Sequence, residues 1–69
     1  MKWNKITDAD SAPKHEQCVL LAQRGWGTWF YHTGWWDNSC KRWLTGAGSF
    51  KVNKFHYWAD IDAPEVTNE

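Results

Sequence analysis

The sequence predicts a mainly β fold: a small antiparallel meander or partly open barrel of about four to five short strands. Three observations predict it. Apolar and aromatic residues come in short runs or in strict alternation, Gly, Asn and Asp break them every several residues, and no segment carries a helical period of useful length.

Sixty-nine residues leave room for one domain, 1–69, because a chain this short buries only about 60% of the surface that its unfolded form exposes. A domain of that size needs a staple or dense apolar packing. Seven Trp supply the second. A buried Trp removes roughly 150–250 Å² from water, so most of the seven are expected inside, with a small remainder on the surface.

The opening, about residues 4–16, reads as a polar arm in which Asp8, Asp10, Ser11 and Pro13 resist regular structure. Trp3 is expected to pack back onto the sheet as a plug. Gln17 to Gln23 is the first strand and the centre of the sheet, with a Cys18-Val19-Leu20-Leu21-Ala22 apolar run and a buried Cys18. Arg24-Gly25-Trp26-Gly27 is a turn. Thr28 to His32 alternates, placing Trp29 and Tyr31 on one side and Thr28, Phe30 and His32 on the other.

After Gly34, the adjacent Trp35 and Trp36 must point to opposite faces of an extended chain. Trp36, beside the turn residues Asp37, Asn38 and Ser39, is expected to be the exposed ring. Cys40 to Thr45 and Phe50 to Val52 are further strands separated by Gly46-Ala47-Gly48-Ser49. Phe55 to Ile61 closes the sheet, with Phe55, Tyr57, Ala59 and Ile61 on one face and His56, Trp58 and Asp60 on the other. Trp29, Trp43 and Leu20 are expected in the core. Residues 62–69 read as an acidic tail.

These segments resemble the small tryptophan-rich phage and prophage proteins grouped as domain of unknown function family 551. The counterparts of that pattern are Trp3, Pro13, Val19-Leu20-Leu21, Gly34-Trp35-Trp36, and Phe55-His56-Tyr57-Trp58-Ala59-Asp60-Ile61 with Pro64. His56-Tyr57 stands where the pattern has Thr-His, so no role of that His carries over. The resemblance implies a phage accessory protein without an established activity.

Chemistry is sparse. His15-x-x-Cys18 has ligand-like spacing, and His32, Cys40 and His56 would complete a site, but structural zinc sites show two closely spaced pairs. No metal or cofactor is expected. Cys40 has no motif around it of the kind that activates a nucleophile, so the chain reads as non-enzymatic. The termini offer neither an apolar secretion signal nor a membrane span. A cytoplasmic location in the host cell is therefore expected, with Cys18 and Cys40 as free thiols.

Formal net charge is zero, which argues against a general attraction to nucleic acid. Trp and Arg are the side chains that dominate protein–protein hot spots. The leading expectation is binding, and through binding inhibition, of a host or phage protein by a patch including Trp36, Trp26 and Arg42. The alternative is a binder of a nucleotide or short nucleic acid, with Gly46, Gly48 and Lys51 around a phosphate and a Trp stacked on the base.

Overall fold

The computed structural model describes residues 2–61, so the expected acidic tail lies outside the described residues. The fold is one antiparallel sheet of six strands: β1 (Asn4–Lys5), β2 (Val19–Gly25), β3 (Thr28–Asp37), β4 (Arg42–Thr45), β5 (Gly48–Phe50) and β6 (Tyr57–Asp60). The order across the sheet is β1-β6-β2-β3-β4-β5, and it is open, with β1 and β5 at the edges. Strands β2 to β5 form the expected meander. The last strand returns through a 3-10 turn at Val52–Lys54 to pair with β2, which is central as its apolar run requires.

Register decides which side of the sheet is the core. Val19 and Leu21 pair with Gly34 and His32, Leu21 also faces Trp58, and Trp36 pairs with Trp43, whose other partner is Phe50. All of these side chains share one face, because partners across a ladder point the same way. Trp36 and Trp43 meet edge to face at 4.9 Å between centroids, and Phe55 packs against both Trp43 and Phe50. Val19, Leu21, Trp36, Trp43, Phe55 and Ala12 form the buried cluster.

The N-terminal arm covers this face. It is more regular than its composition suggests, for Asn4 and Lys5 pair with β6 and Ala9–Ser11 form a 3-10 turn. Asp8 caps that turn by accepting from the N–H groups of Asp10 and Ser11, while the Ser11 hydroxyl oxygen accepts from the Asp8 N–H. Such a reciprocal box satisfies donors that would otherwise be orphaned. The Trp58 indole N–H donates to the Ser11 carbonyl at 2.8 Å, tying the arm to the sheet. Ala12 and Pro13 are buried beneath it.

Five expectations are corrected. Phe55 lies in the core cluster ahead of β6, not on one strand face with Tyr57 and Ala59, which point to the opposite side. Trp36 is 2% exposed and Trp35 is 41% exposed, the reverse of the assignment from turn proximity, because the arm crosses over Trp36 and register sends Trp35 outward. Leu21 is in the core while Leu20 and Trp29 are half-buried on the opposite face; of the three expected core residues Trp43 alone is there. Strand β3 continues through Gly34 to Asp37 instead of stopping at His32. Cys18 is exposed, one residue ahead of β2; it and Cys40 are free thiols.

The β2–β3 hairpin turns on two residues, Trp26 and Gly27, with φ of 51° and 77°. Positive φ at both positions defines the type I′ turn whose twist suits a hairpin, and that turn favours Asn-Gly. Trp is out of place there, since the left-handed region costs a residue with a Cβ on the order of 1–2 kcal/mol. Trp26 gains no packing in return, being 99% exposed. Trp26→Asn is therefore expected to raise stability by about 0.5–1 kcal/mol, read as a higher denaturant midpoint at unchanged slope.

Candidate functional site

The alternation that buries one face displays the other. Trp29, Tyr31, Thr33 and Trp35 of β3 point away from the core, as do Leu20, Ala22 and Arg24 of β2, Tyr57 and Ala59 of β6, Lys5 of β1, and Arg42 and Leu44 of β4. None of the described elements covers this face. Trp3, Tyr31, Trp35 and Ile61 remain among the exposed large apolar residues.

At one end the aromatic residues form a cup. Ala22 pairs with Tyr31 on one side and Tyr57 on the other, and its small side chain leaves a hollow between the two large ones. Trp3, Trp29, Tyr31 and Tyr57 wall a cavity of about 290 Å³ with Ala22 as its floor. Trp3 leans on Tyr31 at 6.2 Å, and Trp29 meets Tyr57 edge to face at 5.8 Å. Trp3 thus packs back onto the sheet as expected, but on its open side. The buried Trp43 and half-buried Trp58 donate their indole N–H groups to backbone carbonyls. The indole N–H and phenol O–H groups of Trp3, Trp29, Tyr31 and Tyr57 make no hydrogen bond among the described residues, and none of them is buried without a partner.

Among the described residues the arm side carries both signs, with Lys14 and Lys41 beside Asp10 and Glu16, whereas cations predominate on the open face. The open face carries Lys5, Arg24 and Arg42, with the Arg24 guanidinium 5.4 Å from the Trp29 ring centroid. Asp8, Asp10 and Glu16 belong to the arm, and Asp60 points to the core side, where its carboxylate meets His15 at 2.8 Å. The remaining described carboxylate, Asp37, sits at the far end of β3 and is occupied by its own turn. It accepts from the Ser39 and Cys40 N–H groups and from the Cys40 thiol at 3.3 Å.

Those bonds, the thiol's first, hold the Asp37 carboxyl below the usual carboxylate range, and the same bond to Asp37 pushes the Cys40 thiol above its ordinary range. For a carboxyl lowered on folding, the stabilisation is present above its unfolded pKa and is lost as pH falls through the folded value. Asp37 therefore supports this turn near neutral pH and releases it in acid. A raised thiol pKa means less thiolate and a less reactive Cys40. Asp37→Asn should speed Cys40 alkylation near pH 8, measured by mass spectrometry of the Cys40 peptide; an unchanged rate would show that the carboxylate does not hold the thiol.

The residues picked from sequence do not form one patch. Trp36 is in the core, which removes it from the binding set. Trp26 and Arg42 lie near opposite ends of β3, whose ten residues span on the order of 30 Å. Arg42 donates to the Ser49 hydroxyl and carbonyl oxygens. Gly46 and Ala47 form the tip of the β4–β5 hairpin, with the Ala47 N–H donating to the Thr45 hydroxyl oxygen, and Gly48 opens β5. Lys51 follows the other end of β5, about 10 Å along the strand, so the loop does not gather Gly46, Gly48 and Lys51 around one point.

His56 accepts the Arg24 N–H through Nδ1 and donates its own N–H to the Ala22 carbonyl, a structural role beside β2. Among the described residues no three His, Cys, Asp or Glu side chains gather as a metal site, and no helix is long and apolar enough to cross a membrane.

Sequence reasoning missed Trp3, Trp29, Tyr31, Trp35 and Tyr57 as one surface. The signal was present in the alternation Trp29, Tyr31, Thr33, Trp35, which becomes visible once β3 is carried through Gly34. No family model, curated protein or solved structure matches this chain.

Proposed function

We propose that this chain is a non-enzymatic binding module whose ligand surface is the open aromatic face of the sheet. The observation that carries the proposal is the uncovered cup of Trp3, Trp29, Tyr31 and Tyr57 with Trp35 further along β3. Large apolar rings left in water on a small domain mark an interaction site, and Trp, Tyr and Arg are the residues from which binding hot spots are built.

The setting we propose is that of a phage or prophage accessory protein in the cytoplasm of a bacterial host. It rests on the resemblance at Trp3, Pro13, Val19-Leu20-Leu21, Gly34-Trp35-Trp36 and the closing segment. A host or phage protein, inhibited by being bound, is the partner that zero net charge suggests. The three cations Lys5, Arg24 and Arg42 on the open face favour a second reading, an anionic ligand.

The test is a Tyr31→Ser/Trp35→Ser variant. Both side chains are exposed, so the variant should keep its circular dichroism spectrum and a cooperative melt. It should lose whatever the unmodified chain retains from a lysate of a bacterial host. A folded variant with undiminished retention would place the interface elsewhere.

A further inference from the structure

We infer that the open face binds an unpaired nucleic-acid strand, with bases stacked on its rings and phosphates held by Lys5, Arg24 and Arg42. The inference rests on the proposal that this face is the ligand surface; it takes up the anionic-ligand reading in place of the protein partner and names the ligand.

Ring geometry is the first support. Along β3, Trp29 and Tyr31 are about 7 Å apart and Trp35 lies on the order of 20 Å from Trp29, a track with room for a few bases. Ala22 opens the cup between Tyr31 and Tyr57, and its volume of about 290 Å³ accommodates one planar base among four rings. Only an unpaired strand presents base faces to such rings, since in a duplex they are covered by neighbouring bases.

Charge is the second support. The whole chain is neutral, but among the described residues the open face sets three cations, Arg42 being bonded to Ser49, against Asp37, which its own turn engages. Arg24 stands at the cup, stacked on Trp29. Lys5 is opposite Tyr57, and Arg42 is at the far end of the ring track. Cations at both ends of an aromatic track match a strand whose phosphates run beside its bases.

The test is a titration of the full chain into a fluorescein-labelled oligothymidylate of about twelve nucleotides, read by anisotropy and by quenching of Trp fluorescence in low salt. Binding should weaken roughly threefold to fourfold for each doubling of salt, as two to three phosphates require. Tyr31→Ser should weaken it about tenfold or more at every salt concentration. Arg24→Gln should weaken it in low salt and lower the salt slope by about 0.7. Lys54→Gln, outside the open face, should bind as the unmodified chain does, and a duplex of equal length should bind at least about tenfold more weakly.

Absence of binding near 50 mM salt, equal affinity for duplex, or Tyr31→Ser and Arg24→Gln variants that bind normally would each overturn the inference. A host protein captured in the presence of nuclease, and lost with Tyr31→Ser, would overturn the nucleic-acid ligand and leave the binding face standing. Capture indifferent to Tyr31→Ser, together with no oligonucleotide binding, would overturn both.

Discussion

Trp43→Ala is expected to leave little folded protein at room temperature. Trp43 is fully buried, packs edge to face against Trp36 and Phe55, and donates its indole N–H to the Val52 carbonyl. Truncation removes the largest contact of the core, opens a cavity the rigid sheet cannot close, and strips a partner from the carbonyl that anchors the 3-10 turn. Large aromatic-to-Ala changes in cores cost about 3–5 kcal/mol. At roughly 0.05–0.15 kcal/mol per residue a chain of this length has about 3–10 kcal/mol in total. Trp43→Phe, which keeps most of the volume but loses the N–H donor, should fold with a lowered melting temperature. A Trp43→Ala variant melting within a few degrees of the parent would show that the core lies elsewhere.

Gly34→Ala is the second large effect, and its cause is steric. In β3, Gly34 pairs with Val19 and Thr45. A Cβ at this position would be driven into the Leu44 carbonyl oxygen and would stand 2.8 Å from Thr45 Cγ2 and 3.3 Å from Leu21 Cδ1. A side chain can rotate away from such a contact, but a carbonyl held in the β3–β4 ladder cannot. Overpacking of this kind costs about 1–3 kcal/mol, and the backbone partner puts Gly34→Ala at the upper end. Chemical denaturation should show the loss. By contrast, Gly46 has open space around its Cβ direction, so Gly46→Ala should stay within about 0.5 kcal/mol of the parent.

Much of the fold was legible because strand alternation is local. The Val19 to Ala22 run, a turn within residues 24–27 and a closing strand within residues 55–61 follow from side-chain type and period alone; the structure narrows the turn to Trp26-Gly27 and the strand to Tyr57–Asp60. The sign of each alternation was not legible. Whether the Trp29 side or the His32 side of β3 faces inward depends on what covers the sheet, and the cover comes from distant segments, the arm with Ala12 and Pro13 and the turn leading to Phe55.

Gly34 misled for a related reason. Glycine reads as a strand breaker, but here it is needed inside the strand because the Leu44 carbonyl approaches too closely for a Cβ. With β3 cut at His32, Trp35 lost its phase relative to Trp29 and Tyr31, and the aromatic face could not be assembled. The neutral total charge hid the three cations gathered on the open face in the same way, since a sum over the chain carries no information about faces.

The most direct test of a closed face and an open face is the pair of neighbours that point to opposite sides, compared as Trp35→Ala and Trp36→Ala by equilibrium denaturation. Trp35→Ala should remain folded, within about 1 kcal/mol of the parent as befits a partly exposed residue. Trp36→Ala, which empties the site against Trp43, should lose about 3–5 kcal/mol. The opposite order, with Trp36→Ala stable and Trp35→Ala unfolded, would invert the sheet and contradict the binding face.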